Sequence, residues 1–80
     1  MYNCKMTTLT EKEFLQALGL RIMKLRLAQG RSRLSFAKEL ATDEKHLRLI
    51  ESGEINMGVG YAYRIANQLG IEISDLVKAF

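Results

Sequence analysis

The sequence has no proline and no tryptophan, a single cysteine, Cys4, and a single histidine, His46. Each shortage removes a class of protein. One cysteine cannot close an internal disulfide, so a small domain stapled by bridges is excluded and a reducing, cytoplasmic setting is expected. One histidine and one cysteine, far apart in the chain, supply neither a zinc ligand set nor a cysteine–histidine nucleophile pair, and no metal or cofactor is expected. No apolar run is longer than a few residues, so nothing reads as a membrane span. The first ten residues lack both a positive cluster and an apolar segment, and do not read as a signal peptide. Paired carboxylates in a pocket, a nucleophile with a base and a glycine-rich phosphate loop are all missing, so the chain is not expected to be an enzyme. What remains is a globular composition, 48% hydrophobic and 26% charged over 80 residues, which is one domain near the size at which a single core becomes marginal.

The charge is uneven. Residues 21–34 carry Arg21, Lys24, Arg26, Arg31 and Arg33 with no acid, whereas residues 38–54 carry Lys38, Lys45 and Arg48 against Glu39, Asp43, Glu44, Glu51 and Glu54. A basic block suggests an anionic partner, most often nucleic acid. On charge alone, a solvated helix face accounts for the block equally well.

The chain reads as helices punctuated by glycine. Residues 1–9 are an N-terminal arm, in which Tyr2, Cys4 and Met6 alternate as in a short strand; residues 10–80 are the domain. Thr10 and Glu13 form a capping box, with Leu9 and Phe14 as its hydrophobic staple, and open a first helix that runs to about Gln29 and stops at Gly30. Phe14, Leu18, Ile22 and Leu25 form its core stripe. Leu20, Met23 and Leu27 form a second stripe on the opposite side, which must meet the arm, another helix or another subunit. Ser32 caps a second helix, about Arg33 to Leu40, and after Ala41-Thr42, Asp43 caps a third that ends at Gly53. Two short helices joined by three or four residues have the geometry of a helix-turn-helix. A fourth helix runs from Val59 to Leu69, with Val59, Ala62, Ile65, Ala66 and Leu69 facing inward, and a fifth from about Ser74 to Ala79. Tyr61 and Tyr63, which with Tyr2 could be base-stacking aromatics, read rather as partly buried on the fourth helix.

Several spaced residues carry a resemblance. Leu18, Gly19, Arg21, Ile22, Leu25 and Arg26 give L-G-x-R-I-x-x-L-R; Phe36-Ala37 and Leu40 follow; Ile50, Glu51 and Gly53 give I-E-x-G; Ile65, Ala66, Leu69 and Gly70 give I-A-x-x-L-G; and Leu76 stands in the fifth helix. From Leu18 to Val77 the chain resembles the Cro/lambda-repressor type of helix-turn-helix domain. The resemblance implies an all-α, five-helix DNA-binding domain with a short N-terminal arm, and a transcriptional regulator that lays its third helix in the major groove of double-stranded DNA. The chain departs from the pattern in three places. Arg33 stands where Gln is usual, Ala41 where the turn usually has Gly, and Glu54 lies in a loop that usually carries Pro and basic residues.

Stepping 100° per residue along the third helix puts Leu47 and Ile50 on its buried side, within about 40° of Asp43, and Lys45, Arg48, Leu49 and Ser52 on the far side. As base readers the resemblance implies Glu44, Lys45, Arg48 and Leu49: Lys45 donating to guanine, Glu44 accepting from cytosine, Leu49 against a thymine methyl. Leu49 could instead contact a protein, or be a scattered surface leucine. Ser32, Arg33, Asp43, His46 and Ser52 are assigned to the DNA backbone, with plain exposure as the alternative for His46. Arg26 and Glu51 match positions that pair across the first and third helices.

One such unit reads few base pairs, so a homodimer on a palindrome is expected. Its interface is assigned to Ile73, Val77 and Phe80, with Leu20, Met23 and Leu27 as a possible addition from the first helix. No segment is left over for a sensor domain, so no small-molecule ligand is expected. The alternative function is that of an antitoxin or adaptor, whose main act is to bind a protein partner such as a toxin.

Overall fold

The computed structural model describes residues 9–77, and these form five helices and no strand: α1 (Glu11–Ala28), α2 (Arg33–Glu39), α3 (Glu44–Ser52), α4 (Val59–Leu69) and α5 (Ile73–Val77). Residues 1–8 of the expected arm, Cys4 among them, and residues 78–80, with the expected end of the fifth helix and Phe80, lie outside the described residues. The helix boundaries follow from local chemistry. The Thr10 side chain accepts from the Glu13 N–H at 3.0 Å while the Glu13 carboxylate accepts from the Thr10 N–H at 2.9 Å, satisfying two N–H groups that α1 leaves open. Ser32 does the same for α2 by accepting from the Ser35 N–H, and Asp43 for α3 by accepting from the His46 N–H at 2.7 Å. Gly53 ends α3 in the left-handed region at φ 78°.

The α2–α3 turn passes through Ala41 at φ 58°, the one non-glycine residue in that region among those described. Ala takes up this conformation at a cost of about 1 kcal/mol. The turn is secured by the Ala41 N–H on the Lys38 carbonyl at 3.0 Å and the Thr42 N–H on the Ala37 carbonyl at 2.9 Å.

Leu18, Ile22, Phe36, Leu40, Leu47, Ile50, Ile65, Ala66, Leu69 and Leu76 close into one buried core, with Phe14 and Leu25 half-buried against it. α1 packs principally against α3, and α5 against α4 and α1. Gly19 allows the first of these contacts: a Cβ there would collide with the backbone carbonyls of Ile50 and Glu51. A helix-interior glycine costs about 1 kcal/mol, and here it lets α1 lie against the α3 backbone.

Two residues of α4 differ from expectation. Val59, the first residue of α4, is 80% exposed rather than inward. Tyr63 is exposed rather than partly buried, being set well round from the Ala62–Ile65–Leu69 side that meets the core.

Candidate functional site

The face that could act on a partner is built on α3. Leu47 and Ile50 anchor one side in the core, and Glu51 is buried beside them. The Glu51 carboxylate takes two guanidinium groups. Arg26 of α1 donates through Nε to Oε2 at 2.7 Å and through its second nitrogen to Oε1 at 3.2 Å; Arg33 of α2 donates to Oε1 at 3.2 Å. Arg26 also donates to the Arg31 carbonyl at 2.9 Å. Three elements are thus tied to one carboxylate, and the cluster of two cations and one anion leaves one positive charge at the start of α2. Arg33 stays 31% exposed in its side chain, against 4% for Arg26.

On the opposite side Glu44, Lys45, Arg48 and Ser52 are exposed. No ion pair engages Glu44, Lys45 or Arg48 among the described residues. Ser52 Oγ lies 2.8 Å from a Glu54 carboxylate oxygen and 3.1 Å from the Leu49 carbonyl.

Leu49 is half-buried rather than exposed. On the wheel it stands between Lys45 and His46, toward the flank that meets α4, and not at the centre of the open face. His46 belongs to that flank as well. Its Nδ1 is 2.8 Å from Thr42 Oγ1, and its ring packs on Tyr61 with centroids 5.3 Å apart. Tyr61 carries the Arg64 guanidinium 5.2 Å from its ring centroid, and Arg64 donates to the Leu40 carbonyl at the end of α2 at 2.7 Å. His46 therefore ties the start of α3 to α4. Asp43 and Ser32 are occupied as helix caps, and both are exposed.

The basic block of residues 21–34 is not an open cationic face. Arg26 is buried; Arg31 donates to the Gln68 carbonyl at 2.7 Å, pairs with Glu39 and covers the Phe36 ring; Arg21 donates to the Asp75 carbonyl at 3.2 Å. The Arg64 contact with the end of α2 was missed by sequence reasoning. Spacing signals only its local half, Tyr61 three residues earlier on α4.

Of the residues assigned to an interface, Leu20 and Leu27 are 43% and 58% exposed and Met23 is half-buried, while Ile73 and Val77 are half-buried against the core. Ile73 and Val77 also line an apolar groove of about 300 Å³, together with Phe14, Leu15, Met57 and Val59. No helix among the described residues is long and apolar enough to cross a membrane, and no group of His, Cys, Asp or Glu there is placed to hold a metal ion.

No protein-family model matches the chain, and no curated protein matches it. Solved structures do. The restriction-modification controller protein C.AhdI from Aeromonas hydrophila superposes with a TM-score of 0.73 at 29% identity, over 78% of this chain and 94% of that one. The clp gene regulator ClgR from C. glutamicum gives 0.74 at 19% identity, over 79% and 82%. A hypothetical transcription factor, NHTF, from Neisseria gives 0.76 at 19% identity, over 86% and 79%. The two at 19% identity speak to the fold alone. The five-helix fold is that of helix-turn-helix regulators, in keeping with the Cro/lambda-repressor resemblance.

Proposed function

We propose that this chain is a transcriptional regulator that binds double-stranded DNA with α3 in the major groove. The observation that carries the reading is the pair Lys45 and Arg48, exposed on α3 without an ion-pair partner among the described residues. That helix is fixed to α1 and α2 through Glu51 and to α4 through His46. A helix held on three sides with cations on the fourth meets what base reading needs: donors for guanine O6 and N7 on a support that does not yield. Glu44 accepts from a cytosine amine. Arg33, bonded to Glu51 by one nitrogen, keeps further donors for a phosphate beside the Ser32 cap, and a guanidinium suits a phosphate better than the Gln usual at this place. His46 is turned toward Thr42 and Tyr61, so its part is to orient α3.

Two copies on a palindrome, with their α3 helices about 34 Å apart, supply the base pairs that one copy lacks. The likeness to a restriction-modification controller protein supports a regulatory role. A protein-binding role, as an antitoxin or adaptor, is favoured by the exposed Leu20 and Leu27, which cover no core. Selection of bound duplexes from a random pool tests the DNA reading. A recovered palindrome whose half-sites lie one helical turn apart supports it, and no enrichment over the starting pool overturns it.

A further inference from the structure

The outer face of α1 has no part in the DNA reading. Contacts on the other sides of the helix fix where that face lies. Leu18 and Ile22 enter the core, Gly19 lies against the α3 backbone, Arg26 pairs with Glu51, and Arg21 donates to the Asp75 carbonyl at 3.2 Å. At 100° per residue this leaves Glu13, Ala17, Leu20, Lys24 and Leu27 opposite the core. Leu20 and Leu27 are 43% and 58% exposed, Glu13 and Lys24 are exposed, and Ala17 is half-buried. No ion pair engages Glu13 or Lys24 among the described residues. The five recur at intervals of four, three, four and three residues, the spacing of a coiled-coil seam. We propose that this seam docks on the same seam of a second copy, with the two α1 helices antiparallel.

Charge complementarity sets the direction. Parallel helices would put Glu13 on Glu13 and Lys24 on Lys24, which repel. Antiparallel helices about a two-fold axis between residues 18 and 19 give every member of the seam a fitting neighbour. Lys24 faces Glu13 of the second copy. Leu20 faces Ala17 of the second copy, whose small side chain leaves room for it. Leu27 faces Thr10 of the second copy, next to Leu9, which is itself 42% exposed. The two-fold makes each of these contacts twice. Glu13 is held ready for its part: one carboxylate oxygen accepts from the Thr10 N–H at 2.9 Å, which leaves the other for the ammonium group. An exposed ion pair adds little affinity, so the leucines supply the association and the charges select its direction and register. Lys45 and Arg48 lie on α3 and take no part, so the contact needs no DNA.

Sedimentation velocity without DNA, at micromolar concentration, tests the pairing on the wild type, on Lys24→Glu, on Glu13→Lys and on an equimolar mixture of these two variants. Either variant alone sets like charges against each other in both halves of the pair. Each is expected to associate at least about tenfold more weakly than the wild type. In the mixture both contacts again join unlike charges, so association close to that of the wild type is expected to return. Association through any other face is indifferent to this complementation. Leu20→Gln leaves both charges and the capping box in place and is expected to weaken association as well. A wild type that stays monomeric, variants that associate as the wild type does, or a mixture no tighter than its components would each overturn the proposal.

Discussion

Arg26 and Glu51 meet in a two-point ion pair, 2.7 Å and 3.2 Å, with side chains only 4% and 3% exposed. Removing one partner of a buried pair leaves the other charge uncompensated, at a cost of about 3–5 kcal/mol, while an exposed pair contributes about 0–1. Glu51→Ala strands Arg26 and is expected to lower stability by about 3–5 kcal/mol in urea unfolding. Arg33→Ala leaves the buried pair intact and is expected to cost under about 1 kcal/mol. Equal losses for the two variants would mean that the carboxylate does not serve mainly to hold Arg26.

Ala41 sits at φ 58° in the α2–α3 turn. Ala41→Gly relieves the Cβ clash of the left-handed conformation but enlarges the unfolded ensemble, so a net gain of up to about 1 kcal/mol is expected. A raised urea midpoint with an unchanged slope is the outcome sought; a lowered midpoint would show that the backbone there is relaxed.

Tyr61 packs between His46 and Arg64, yet its hydroxyl is buried without a hydrogen-bond partner among the described residues. Tyr61→Phe keeps both ring contacts and removes a polar group that costs about 1–3 kcal/mol to desolvate. Its thermal midpoint is expected to equal or exceed that of the wild type, and Tyr61→Ala to fall well below. A marked loss in the Phe variant would reveal that the hydroxyl is bonded.

Local chemistry was legible in the sequence. Thr10, Ser32, Asp43 and Gly53 could be assigned as caps because capping involves only residues within one turn, and Ala41 stood out because the turn it resembles usually has Gly there. The Leu47–Ile50 side of α3 followed from periodicity. Long-range partnerships were not legible. The five cations of residues 21–34 look like an open patch until the fold brings the carbonyls of Gln68 and Asp75 and the carboxylate of Glu51 to Arg31, Arg21 and Arg26. Leu49 was misplaced for the same reason: a helix wheel carries no record of α4 beside it. Of the candidate site, the exposure of Lys45, Arg48 and Glu44 could be read, and the occupation of Arg33 by Glu51 could not.

The residues assigned to bases and to phosphates are expected to separate by their salt dependence. Arg33→Ala removes one phosphate contact, so affinity falls by a similar factor on every duplex and the slope of log K against log salt flattens by about 0.9. A slope and affinity equal to those of the wild type would take Arg33 off the DNA.

The central claim is that Lys45 reads a base. Fluorescence anisotropy of Lys45→Ala on the best selected duplex, on its single-position variants and on random duplex tests it most directly. The account predicts a loss of about 1–3 kcal/mol on the best duplex, relaxed preference at one base position in each half-site, and little change on random DNA. An equal loss on all duplexes, or wild-type affinity on the best one, would contradict it.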